Sequence, residues 1–130
     1  EKNMRFLKWT TGLLVAVASL TGAAFAHVSL KASNIGAAAI IETLPPAFEI
    51  EFSQPVGLAS FAIETDASSD ETGAPIALDY APPKGMQAKF AIPLPRLAPG
   101  AYVAKWRIMA KDGHAMNGQI RFTLAAPKTP

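Results

Sequence analysis

Three segments of the chain alternate apolar and polar residues with a period of two. The apolar positions are Phe48, Ile50 and Phe52 in the first segment, Tyr102, Ala104, Trp106 and Ile108 in the second, and Ile120, Phe122 and Leu124 in the third. Successive side chains of a β-strand point to opposite faces, so this pattern predicts strands with one buried and one solvated face. No long segment after residue 26 keeps the helical period of about 3.6 residues, and we therefore expect an all-β domain.

Weaker strand patterns lie at 28–32, 58–65, 75–80 and 88–94, and turns rich in proline, glycine or small polar residues separate the strands. About seven short strands separated by such turns favour a seven-stranded Greek-key β-sandwich or barrel, of the cupredoxin-like or immunoglobulin-like kind. Residues 37–43 could instead form a helical turn.

The first 26 residues have the layout of a secretory signal peptide. A short cationic start precedes an unbroken apolar run at 13–18, and Ala24-Phe25-Ala26 is a small-x-small cleavage site. The apolar run is shorter than the about 20 residues that a transmembrane helix needs, although an uncleaved anchor is the alternative. We therefore expect residues 1–26 to be removed and the domain 27–130 to be exported to the periplasm, without stable membrane insertion after cleavage.

Charge and cysteine content exclude several classes of function. Residues 1–26 hold three of the 12 basic and one of the 10 acidic residues, so the predicted mature domain carries nine of each and is neutral. Because no basic stripe remains to follow a phosphate backbone, we expect no nucleic-acid binding. The chain has no cysteine, which excludes disulfides, thiolate metal sites and cysteine nucleophiles.

The two histidines of the chain are candidate metal ligands. Cleavage after Ala26 would make His27 the N-terminal residue, whose free α-amine and imidazole can chelate one ion together. Asp112 and His114 are two residues apart between two strong strand patterns, and in an extended segment their side chains point to the same side. Nitrogen donors with one oxygen suit Cu(II). The alternative is a solvated histidine beside the common Asp-Gly turn dipeptide at Gly113.

Five segments of the predicted mature domain carry a resemblance to a known family. They are 27–33, which begins at His27, then 52–56, 97–102, 106–114 and 118–122. In these segments the chain resembles the CopC family, periplasmic copper-binding proteins of bacterial copper-resistance systems, and the stretch ending at His114 is the most specific. The resemblance implies a seven-stranded Greek-key β-barrel or sandwich. It also implies that His27, Asp112 and His114 bind Cu(II), one ion per mature chain.

The chain departs from this family pattern at two kinds of position. Many relatives have glutamate in a Phe-Ser-Glu-Pro motif, whereas Gln54 stands there in this chain and adds no negative charge. Some relatives hold Cu(I) in a methionine-rich loop, but Met86, Met109 and Met116 are widely spaced. We therefore expect these methionines to fill gaps in the core rather than to form a thioether site.

The function that this resemblance implies is that of a Cu(II) carrier or buffer in the periplasm, not of an enzyme. Its partners would be the copper ion and an inner-membrane copper transporter of the CopD type. One alternative is a copper oxidase, because a terminal histidine with a second histidine also resembles the histidine brace of lytic polysaccharide monooxygenases. The other alternative is a structural or adhesion module whose N-terminal histidine is incidental.

Overall fold

The structure is a computed structural model that describes residues 27–67 and 73–128; the predicted signal peptide and residues 129–130 lie outside the described residues. Within these two ranges the chain forms seven strands and no helix. The strands are β1 (Leu30–Ser33), β2 (Ala39–Ile41), β3 (Ala47–Thr65), β4 (Pro75–Ile76), β5 (Gln87–Pro93), β6 (Gly100–Met109) and β7 (Ala115–Leu124). The predicted all-β fold is confirmed, whereas a helical turn at 37–43 is wrong because β2 occupies that segment.

The strand β3 belongs to both layers of a β-sandwich. Its first half pairs antiparallel with β1 and β5, and its second half pairs antiparallel with β4 and β6. The strand β6 continues the second layer through an antiparallel pairing with β7, and β2 closes that layer parallel to β7. The predicted seven-stranded sandwich is therefore confirmed, with one long strand shared between its two sheets.

A register irregularity in β3 keeps its apolar side toward the core along its whole length. Its buried residues fall on even positions from Phe48 to Leu58 and then on the odd position Ile63. Between these parts, the pairing of β3 with β6 shifts between Leu58 and Ser60. An extra residue in one strand reverses the face to which the following side chains point. The sequence pattern predicted two separate strands in this region, one around 48–52 and one at 58–65, whereas the structure has one continuous strand.

The core between the two layers is apolar throughout the described residues, in which no buried side chain is polar or charged. Phe48 and Phe122 are almost fully buried, and Tyr102 stacks on Phe122 at a ring distance of 5.7 Å. Trp106 is 6% exposed and makes an edge contact with Phe52, which confirms its expected place in the core. Burial of this apolar surface stabilises the domain without any disulfide. No helix in the described ranges is long and apolar enough to cross a membrane.

Candidate metal centre

The strands β6 and β7 form a long hairpin whose closed end carries two of the three candidate ligands. Their pairing runs from Gly100 opposite Leu124 to Met109 opposite Ala115. Beyond the last pair, the Ala110 N–H donates to the His114 carbonyl at 2.8 Å. Gly113 closes the turn with a φ of 89°, a left-handed conformation that glycine adopts at little cost. The hairpin therefore holds the loop residues 110–114 on a rigid support.

Asp112 and His114 form a two-point contact at this hairpin end. The His114 backbone N–H donates to Asp112 Oδ1 at 3.0 Å, and His114 Nδ1 lies 2.7 Å from Asp112 Oδ2. An aspartate that accepts from the backbone two residues ahead is a common turn device. The pair faces solvent, since the His114 side chain is 82% exposed. The structure thus brings these two candidate ligands together, on the same side of the turn.

The contact sets the electrostatics of the pair. The backbone hydrogen bond from His114 lowers the pKa of Asp112 below its usual value, and the side-chain contact with His114 acts in the same direction. Asp112 therefore carries a negative charge at neutral pH. The contact also places one ring nitrogen of His114 beside an oxygen of Asp112, 2.7 Å away. Both atoms have lone pairs that can bind a cation, so one ion that takes the place of this contact could be bound by both residues.

His27 lies apart from this pair. The residue is exposed, and its α-nitrogen forms the peptide bond to Ala26 in the 130-residue chain. Within the described ranges, no three histidine, cysteine or acidic side chains lie close enough together to hold a metal ion. The structure therefore pairs Asp112 with His114 and does not join His27 to them. The three-residue ligand set stays a prediction.

The residues directly after His27 nevertheless lie against the side of the same hairpin. Val28 is 6% exposed and belongs to the core. Val28 and Ser29 line one cleft together with Met116 and Asn117, which are the second and third residues after His114. The segment after His27 therefore lies beside β7, close to the residues that follow His114.

A pair of serines fixes this segment, and sequence reasoning did not identify it. The Ser29 N–H donates to Ser53 Oγ at 3.0 Å, and the Ser53 N–H donates to the Ser29 carbonyl at 2.8 Å. The segment 52–56 attracts notice in the sequence only as part of the family resemblance. No local pattern relates two serines that are 24 residues apart.

The methionines do not fill the core as expected. Met86, Met109 and Met116 are 46%, 40% and 36% exposed, so that prediction is wrong. Met109 and Met116 lie near the hairpin end, where they face Ala115 and Ile108 in the ladder.

The chain is thus a disulfide-free β-sandwich with an exposed carboxylate–histidine pair at the end of one hairpin. The family model of the CopC domain matches residues 30–125 of this chain, which therefore belongs to the CopC family. This confirms the resemblance seen in the sequence. A comparison with curated protein sequences finds no match.

Two solved structures show the same fold. The structure of CopC from Methylosinus trichosporium OB3b is similar to this chain with a TM-score of 0.61 and 23% identity, over 80% of this chain and 99% of that chain. The structure of PcoC, a methionine-rich copper resistance protein from Escherichia coli, is similar with a TM-score of 0.54 and 25% identity, over 76% of this chain and 99% of that chain. Both likenesses cover almost the whole length of the other protein.

Proposed function

We propose that this chain, once cleaved after Ala26, is a periplasmic Cu(II)-binding protein of copper resistance and homeostasis. One Cu(II) ion is bound by the α-amine and imidazole of His27 together with Asp112 and His114. Membership of the CopC family supports copper as the cargo, as does the description of the similar PcoC as a copper resistance protein. The observation that carries most weight is that Val28 and Ser29 line one cleft with β7 residues just past His114.

The donor set favours this metal. Cleavage frees the α-nitrogen of His27, which then supplies two nitrogens in one chelate ring. His114 supplies a third nitrogen, and the ionised carboxylate of Asp112 supplies an oxygen. Three nitrogens and one oxygen in a flat arrangement suit Cu(II). Because the chain has no cysteine, no thiolate is present to favour Cu(I) over Cu(II).

The same donor set favours a carrier over an oxidase. Four protein donors would complete the coordination plane of Cu(II) and leave no open position in it for oxygen. The negative charge of Asp112 stabilises the higher oxidation state and opposes reduction. Since the His114 side chain is 82% exposed, a partner can reach the ion directly. We propose an inner-membrane copper transporter of the CopD type as that partner.

A titration with a competing chelator tests the terminal ligand. We expect the mature form starting at His27 to bind one equivalent of Cu(II), and a form with Gly-Ser added before His27 to bind more than about 100-fold more weakly. A supporting partner of a ligand is worth about 10–100-fold, and this change removes a direct ligand. Fluorescence of Trp106, the single tryptophan after residue 26, reports the binding. Equal affinities of the two forms would refute the proposal.

Substitutions at the hairpin end complete the experiment. His114→Ala and Asp112→Ala are expected to weaken Cu(II) binding, whereas Met109→Leu, four residues before the turn glycine Gly113, is expected to leave it unchanged. Thioethers are soft donors, and Cu(II) prefers nitrogen and oxygen. Loss of Cu(II) binding in the methionine variant would show that the site lies elsewhere.

A further inference from the structure

The hydroxyl of Ser53 accepts a hydrogen bond from the residue directly before the first backbone pair of β1 with β3. The pairing of β1 with β3 begins at Leu30 opposite Phe52 and is irregular between Leu30 and Ala32. One residue before this pairing, the Ser29 N–H finds its acceptor in Ser53 Oγ at 3.0 Å rather than in a carbonyl. The backbone of Ser53 donates back to the Ser29 carbonyl at 2.8 Å. The side chain of Ser53 thus adds a hydrogen bond between β3 and the segment just before β1.

Val28 adds an apolar anchor to this polar one. It is 6% exposed and lines the cleft that Phe52, Trp106 and Ile108 also line. The two residues after His27 are therefore held by different means, Val28 by burial and Ser29 by hydrogen bonds. His27 itself is exposed, so its position depends on these two neighbours.

We propose that Ser53 is a positioning residue of the copper site, an inference that rests on the proposed function. Its hydroxyl holds the start of the mature chain against the β6–β7 hairpin, so that the donors of His27 meet Asp112 and His114 in one site. When two halves of a site lie on separate segments, the affinity depends on the effective concentration of one half at the other. Without the hydrogen bond between Ser29 and Ser53, His27 samples more positions, and its donors meet those of the hairpin less often.

Three variants of the mature form test this role. Ser53→Ala is expected to bind Cu(II) about three- to tenfold more weakly, the range of one neutral hydrogen bond. Ser53→Thr keeps a hydroxyl and is expected to stay within about twofold of the wild type, since the bond is retained. Ser60→Ala is the matched control, because Ser60 is an exposed serine in the second half of the same strand. In the metal-free protein, Ser53→Ala is expected to lower the midpoint of unfolding slightly, because the Ser29 N–H loses one exposed hydrogen bond, whereas Ser53→Thr and Ser60→Ala are expected to leave it unchanged.

Amide hydrogen exchange gives a readout without copper. In the metal-free Ser53→Ala variant, the Ser29 amide is expected to exchange faster than in the wild type, while the Ala110 amide of the hairpin turn is unchanged. A wild type that binds Cu(II) and a Ser53→Ala variant of equal affinity would overturn this inference alone. So would equal weakening in Ser53→Ala and Ser53→Thr, or equal weakening in Ser53→Ala and Ser60→Ala. A mature wild type without Cu(II) binding would overturn the proposed function and this inference together.

Discussion

At the scale of single residues, the contact between Trp106 and Gly118 explains a glycine in the middle of a strand. The two residues are partners in the β6–β7 ladder. A Cβ added to Gly118 would lie 2.5 Å from Cε2 and Nε1 of the indole ring, far inside van der Waals contact. Glycine weakens a strand unless a neighbour needs the space, and here the ring of Trp106 takes it.

We therefore expect Gly118→Ala to lower the free energy of unfolding by about 1–3 kcal/mol, the usual effect of overpacking a core. Gly57→Ala is the control, since its added Cβ would lie 3.9 Å from Met109, an ordinary contact, and no loss is expected there. Urea unfolding of the metal-free protein measures both variants. A loss of the same size in both would contradict the explanation by the indole contact.

At the scale of elements, the β6–β7 hairpin supports the candidate site. Ten consecutive pairs align its strands, and the candidate ligands Asp112 and His114 lie just beyond the last pair. The turn depends on Gly113, whose φ of 89° lies where side chains are disfavoured. Apart from the two adjoining residues, no atom lies within 4 Å of a Cβ built on Gly113, so any cost of substitution comes from the backbone conformation.

Gly113→Ala is accordingly expected to lower the free energy of unfolding by about 1–2 kcal/mol, the cost of a left-handed residue with a Cβ. Gly113→Asn is expected to cost less, because asparagine tolerates this conformation better. Chemical denaturation of the metal-free forms gives the stability, and copper titration is expected to rank the two variants in the same order. Equal losses for alanine and asparagine would show that the turn conformation does not govern this position.

At the scale of the whole molecule, the core and the candidate site are separate. The core of the described residues is entirely apolar, and His27, Asp112 and His114 are all exposed. Because no candidate ligand belongs to the core, folding is not expected to need copper, whereas copper that binds only the folded chain adds to its stability.

Removal of copper with a chelator is thus expected to leave the far-ultraviolet circular dichroism of the mature form unchanged. Free Cu(II) at 100 times its dissociation constant is expected to raise the free energy of unfolding by about 2.7 kcal/mol. The form with Gly-Ser before His27, measured at the same free copper concentration, is the control and is expected to show a much smaller gain. Unfolding on chelation would contradict the separation of core and site.

The sequence by itself determined what local patterns encode. Period-two alternation around Phe52, Trp106 and Phe122 is set by the backbone of each strand, so the all-β class could be predicted. Asp112 and His114 are two residues apart in one turn, and their contact follows from that spacing. The resemblance over most of the domain added the family, which the match to residues 30–125 confirms.

Only the tertiary structure decided how distant segments meet. The continuity of β3 through the shift after Leu58 depends on its partner β6, and the parallel strand β2 at Ala39–Ile41 forms because β7 lies beside it. The hydrogen bond from the Ser29 N–H to Ser53 Oγ likewise joins residues far apart in the chain. Such pairings depend on the register between strands, which is settled when the inner faces of the two sheets are buried against each other and not by any neighbouring residue.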